Sequence, residues 1–154
     1  DLLKSGGLMK IGLYSKLARQ DIEYERRRIK KKGIKSTDDN IRDYRLKFVS
    51  EMQHNHKTTN NISLFNDFYS LSTFRDLIFH VQEHTFQISQ LENTIKKLGL
   101  RFLGFEIHNL NYIKKFKKIY FKNSNLTSLK CWDKFENDNP KTFESMYNFW
   151  CMKK

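Results

Sequence analysis

The sequence predicts an α/β fold. Three observations carry that expectation: an apolar strand at Leu8–Tyr14 fed by a Gly6-Gly7 turn, a second strand at Leu100–Ile107 with apolar residues on both faces, and helical stripes of apolar residues three and four apart around them. An aromatic segment near Ser145–Met152 supplies a terminal strand, so the order is strand, helices, strand, helices, strand.

Two adjacent glycines let the chain turn sharply into the first strand. After it, Lys16 to Lys32 holds helix formers with sparse apolar positions at Leu17, Ile22 and Ile29, a solvated helix that Gly33 stops. Thr37 caps the next helix, with Asp38 and Asp39 in its first turn. Ile41, Tyr44, Phe48, Val49 and Met52 give that helix one apolar face, and the aperiodic stretch His54–Asn61 reads as a mobile loop. Phe74, Leu77, Ile78 and Val81 form one stripe on a helix from Thr73 to about Glu83. Ser89 and Glu92 have capping-box spacing, Leu91, Ile95 and Leu98 face inward from the helix that follows, and Gly99 closes it. Tyr112, Ile113, Phe116, Ile119 and Tyr120 make a further stripe opposite Lys114, Lys115, Lys117 and Lys118, and Leu129, Trp132 and Phe135 mark a short helix. Pro140, the sole proline, separates it from the last strand.

At 154 residues the chain fits one domain and can bury roughly 70% of its unfolded surface. With 38% hydrophobic residues, 13 of the chain's residues Phe and 7 Tyr, there is material for a core, although a mean hydropathy of −0.73 implies a polar surface. No apolar run approaches the roughly 20 residues of a membrane span. Cys131 and Cys151 have neither metal-ligand spacing nor a disulfide framework, and with no basic-then-apolar leader the expected setting is the reducing cytoplasm. The net charge of +12 has two readings, attraction to a polyanion or the lysine excess of a compositionally biased genome; lysines scattered over most helices favour the second.

Leu3-Lys4-Ser5-Gly6-Gly7 followed by Leu8-Met9-Lys10-Ile11-Gly12-Leu13-Tyr14-Ser15 resembles the turn and fifth strand of class I S-adenosylmethionine-dependent methyltransferases, with Ser5 at the usual proline. Phe68-Tyr69-Ser70-Leu71-Ser72-Thr73-Phe74-Arg75-Asp76-Leu77-Ile78-Phe79-His80-Val81-Gln82-Glu83-His84, then Gly99-Leu100-Arg101-Phe102-Leu103-Gly104-Phe105, are similar to the following region of a bacterial subgroup often fused behind tetratricopeptide repeats. Asn139-Pro140-Lys141-Thr142-Phe143 and Met146-Tyr147-Asn148-Phe149-Trp150 resemble that subgroup's closing motif and last strand; Phe74 and Ser89 stand at a usual cysteine and proline. The resemblance implies a partial Rossmann-like methyltransferase sheet of fifth, sixth and antiparallel seventh strands, the C-terminal part of a single domain spanning 1–154. Its three strands would be contiguous, with Ser145–Met152 between Leu8–Tyr14 and Leu100–Ile107. The outer edge of the first strand would then be exposed and prone to aggregation.

No Gly-x-Gly-x-Gly-type loop with a later carboxylate occurs here, and that loop is what brings backbone close to a nucleotide-like cofactor. The resemblance therefore implies that S-adenosylmethionine is bound by an absent N-terminal half, that no cofactor binds this chain alone, and that the isolated chain is inactive. The partners implied are that missing half and possible tetratricopeptide repeats, with an unknown substrate.

His80-Val81-Gln82-Glu83-His84 has the His-x-x-Glu-His order of an inverted zinc-peptidase motif, but two histidines one helical turn apart leave a zinc site short of a third ligand, and no metal is expected. On a helix ending near Glu83, both His80 and His84 would border a cleft beside Asp76 and Glu83, where a histidine near pKa 6.5 can act as a general base; ordinary surface histidines are the competing reading. Arg75 suits a substrate carboxylate or phosphate, or a salt bridge. Tyr14 and Ser15 end the first strand, where open α/β sheets hold ligands, with Arg19 one turn on. Arg26–Lys32 is the densest basic run and reads as a solvated helix. The alternative to a methyltransferase portion is a basic nucleic-acid-binding module using that run and Lys114–Lys118, with aromatics stacking bases.

Overall fold

The computed structural model describes residues 3–54, 62, 66–80, 82–120 and 126–154. Among them are four strands and six α-helices in an α/β arrangement, and the chain forms two compact units, Asp1–Arg19 with His84–Lys154, and Gln20–Glu83.

The first unit is built on a mixed sheet of β1 (Leu8–Ser15), β2 (Thr85–Phe86), β3 (Leu100–Phe105) and β4 (Met146–Lys153), in the order β2-β1-β4-β3. β4 runs antiparallel to both neighbours, and β2 parallel to β1. The expected contiguous patch of three strands is therefore present, with the last strand in its middle. Gly6, at φ 75°, donates its N–H to the Lys153 carbonyl, so the turn is tied to the end of β4. A Cβ at Gly7 would come within 2.8 Å of the Lys4 carbonyl oxygen, which is why the second glycine is needed as well.

Register sorts the side chains. Met9, Ile11 and Leu13 face Cys151, Phe149 and Tyr147 across the β1–β4 ladder and point into the core. Over them pack α4 (Ile88–Lys97), α5 (Leu110–Ile119) and α6 (Leu129–Asp138), contributing Ile88, Leu91, Ile95, Phe116, Leu129, Trp132 and Phe135. Phe116 lies flat on Trp132 at 3.7 Å, and Phe105 meets Trp132, Phe143, Tyr147 and Phe149 at tilted or edge-on angles. Such ring pairs add about 0.5–1.5 kcal/mol each beyond area burial.

The second unit is helical: α1 (Gln20–Lys31), α2 (Asp38–His54), a 3-10 turn at Asn66–Phe68, and α3 (Leu71–Phe79). Ile22, Ile29, Ile41, Tyr44, Phe48, Phe74, Leu77 and Ile78 make its core. As expected, the Thr37 hydroxyl receives the Asn40 N–H at 3.4 Å at the start of α2.

Several expectations are corrected. The helix predicted to run from Thr73 to Glu83 spans Leu71–Phe79. The Leu77 carbonyl, which a further turn would use, instead accepts Arg26 Nε at 3.0 Å and Nη2 at 2.7 Å, and His80 turns out at ψ 134°. The capping pair at α4 is Gln87 and Gln90, the Gln90 side-chain oxygen receiving the Gln87 N–H at 2.9 Å; Ser89 lies in the first turn, its N–H donating to Asp133. Leu17 precedes α1 rather than belonging to it. Leu98 is 61% exposed because it is the residue where α4 ends, and Val49 and Ile119 are exposed too. Val81 and residues 55–61, part of the expected loop, lie outside the described residues.

Candidate functional site

In the second unit a groove of about 650 Å³ opens beside α1 and the end of α3. α1 presents Glu23, Arg26, Arg27 and Lys30 to it, at spacings of three and four that share one helix face. Ile34 and Phe79 give it apolar surface over the buried Ile78, and His80 and Glu83 line it from the chain that leaves α3.

Arg26 organises this end of the unit. Besides the Leu77 carbonyl, its Nη2 donates to Glu83 Oε2 at 3.0 Å, and both side chains are largely buried. A guanidinium at a helix C-terminus meets the exposed carbonyls and the negative end of the helix dipole, so Arg26 fixes both the stop of α3 and the path of the next residues. His80 Nδ1 accepts the Gln82 N–H at 3.2 Å. A neutral imidazole bonded in this way carries its proton on Nε2, so His80 offers the groove a donor.

The structure separates the other predicted residues. His84 is exposed and follows the end of α3 by five positions, so the two histidines do not share a helix face; the spacing argument for a common ligand fails, and no cluster able to hold a metal occurs among the described residues. Asp76 is exposed, and its backbone carbonyl accepts Arg26 Nη2 at 3.5 Å. Arg75 forms an ion pair with Asp38 at the start of α2, the salt-bridge reading, while its Nε is enclosed with no acceptor among the described residues.

Tyr14 and Ser15 belong to a separate network in the first unit. Ser15, 0% exposed, donates from Oγ to Glu136 Oε1 at 2.6 Å, and the Tyr147 hydroxyl donates to Oε2 at 2.7 Å. Burial pushes the Glu136 carboxyl above its ordinary range, and the two hydroxyls only partly offset that. Arg19 is 4% exposed, donates to Ser145 Oγ at 2.6 Å and lies 4.0 Å from the Tyr14 ring centre, a cation–π contact. The network welds the carboxyl end of β1 to α6 and β4. Ser15 is enclosed by it, whereas Tyr14 stays half-buried.

Reading Arg26–Lys32 as a solvated helix passes over Arg27 and Lys30 as groove residues. The signal available was the one-face spacing of Glu23, Arg26, Arg27 and Lys30. Glu136 is passed over as well, an acid in a helix with no local mark of burial. No protein-family model matches the chain, and no curated protein matches it.

Proposed function

We propose that these residues form the C-terminal, substrate-side portion of a class I S-adenosylmethionine-dependent methyltransferase, with a Rossmann-like sheet completed by residues outside this chain. One observation carries the reading: the last strand, β4, runs antiparallel between β1 and β3, the arrangement that the sequence resemblance implies for the fifth, seventh and sixth strands. The residues present do not fit the methyl donor. Among the described residues the positive-φ glycines Gly6, Gly33, Gly99 and Gly104 stand singly, and none forms the glycine-rich cradle a nucleotide-like cofactor requires. In this reading the methyl donor is bound by residues outside this chain, the chain alone is inactive, and the cofactor and cytoplasmic setting belong to the complete protein. In this reading the groove beside α1 takes the methyl acceptor, with His80 and Glu83 at its edge.

The nucleic-acid reading has the net charge of +12 in its favour. Against it, Phe116 is enclosed on Trp132 and cannot stack a base, Arg26 and Arg28 are engaged in ion pairs, and Lys115 donates to Asn139.

The test has two parts. Calorimetric titration of this chain with S-adenosylmethionine is expected to give no binding, and the complete gene product is expected to bind it and transfer a methyl group. Micromolar binding by these 154 residues, or a complete product that neither binds nor transfers, overturns the proposal.

A further inference from the structure

We infer that the groove beside α1 binds an amphipathic monocarboxylate, its carboxylate held by Arg27, Lys30 and the Nε2–H of His80 and its apolar body lying against Ile34 and Phe79. That this ligand is the methyl acceptor rests on the methyl-transfer reading; the ligand class rests on the groove alone. The volume of about 650 Å³ falls in the range of roughly 300–1,000 Å³ that small-molecule sites occupy, and such sites combine an apolar lining with a few convergent polar groups. Ile34 and Phe79 are half-buried, so each leaves apolar surface open, and Ile78 lines the same space from the core.

The polar end is equally defined. Arg26 is committed to the Leu77 carbonyl and Glu83. Arg27 and Lys30 are exposed, one turn apart on the same helix, and have no hydrogen-bond or ion-pair partner among the described residues. His80, with Nδ1 engaged by the Gln82 N–H, adds a fixed donor. Charge selects the anion: three cations, Arg26, Arg27 and Lys30, face two carboxylates, Glu23 and Glu83, which leaves a single positive charge. A monocarboxylate neutralises it, whereas the dianion of a phosphate monoester would leave the groove negative and crowd Glu23 and Glu83.

Calorimetric titration of the chain with decanoate, decanol, acetate and decyl phosphate tests the inference. Decanoate should bind saturably, one per chain, with decanol, acetate and decyl phosphate at least tenfold weaker. Arg27→Gln combined with Lys30→Gln should weaken decanoate at least tenfold while leaving the circular dichroism spectrum and melting temperature unchanged, since both side chains are exposed. If the pair fails to fold, Lys30→Gln alone should weaken decanoate severalfold. The inference is overturned if decanoate does not saturate, if decanol binds as tightly, if decyl phosphate binds more tightly, or if the charge variants bind like the parent chain. Decanoate binding without methyl transfer by the complete gene product would sink the methyl-transfer reading alone; transfer without decanoate binding would sink this one alone.

Discussion

The two units bury a carboxylate by opposite means. In the sheet unit, Glu136 is 4% exposed and is met by two neutral hydroxyls, Ser15 and Tyr147. In the helical unit, Glu25 is 0% exposed and is met by a cation: Arg28 Nη1 donates to Oε1 at 3.0 Å and Oε2 at 3.1 Å, and the Tyr44 hydroxyl donates to Oε2 at 2.5 Å. Hydroxyls leave the desolvation of the charge mostly uncompensated, so burial holds the Glu136 carboxyl above its ordinary range. A guanidinium supplies the compensating charge directly, and Arg28 reaches on to Glu51, extending the pair into a chain of three. Burial, followed by the bond to Glu25, pushes the Tyr44 phenol well above its ordinary range and keeps it a donor. Ring packing dominates one unit and ion pairing the other.

That contrast is breakable, and the largest effect lies in the sheet unit. Trp132→Ala removes the ring on which Phe116 stacks and which Phe105, Phe135 and Phe143 meet edge-on, so unfolding free energy should fall by about 3–5 kcal/mol, measured by urea denaturation. A loss below about 1 kcal/mol would mean that the aromatic core does not carry this unit.

Arg28→Ala should come next, at about 2 kcal/mol or more, because it strands Glu25 in the core of the helical unit with one hydroxyl partner; the partial exposure of Arg28 holds the cost below that of a fully enclosed pair. Amide hydrogen exchange should show faster opening in α1 and α2 while β1 and β4 remain protected. Equal acceleration in both units would contradict the assignment of the ion pair to one of them.

The third effect is a pH slope. Because the folded Glu136 binds its proton more tightly than the unfolded chain does, its contribution to stability is complete below the unfolded value of 4.5 and is lost as pH rises through the higher folded value. Urea midpoints between pH 4.5 and 8 should therefore decline more steeply in the parent chain than in Glu136→Gln, and parallel curves would refute the buried-acid account. Smallest of all, Glu92→Gln, which breaks the exposed pair with Lys96, should change stability by less than about 0.5 kcal/mol.

Much of this architecture was legible in the residues. The apolar run after the Gly6-Gly7 turn and the aromatic segment after Pro140 located β1 and β4, and three-four patterns located α5 and α6, since apolar side chains that recur on one face have to be covered. Thr37 and the positive-φ Gly99 behaved as local signals predict, because capping depends on neighbours in the chain. The end of α3 was not legible. Arg26 ends it from 51 positions away through the Leu77 carbonyl, and no pattern within residues 71–84 records that contact. The two-residue β2 was missed for a similar reason, since its only definition is the ladder to Tyr14 and Ser15. At the candidate site, His80 and Glu83 were identified and do share a groove, whereas His84 was grouped with them through a helix drawn past its true end; Asp76 lies within α3 but is not among the groove residues, and Arg75, read apart from them, pairs with Asp38.

Both tryptophans, Trp132 and Trp150, lie in the sheet unit, and their surroundings differ. Trp132 is enclosed, with its Nε1–H on the Leu126 carbonyl at 2.9 Å; Trp150 is on the other face of the sheet, partly open to water, with its Nε1–H on Glu106 at 2.6 Å. Indole emission therefore reports on one unit of this molecule and is silent about the other, whose only native fluorophores are tyrosines and phenylalanines. A blue-shifted component is expected from the enclosed Trp132 and a red-shifted one from Trp150, whose partner Glu106 is a carboxyl held below its ordinary range chiefly by its bond to Lys10. A unit rich in ion pairs can thus melt unseen in an emission scan that records the sheet as intact.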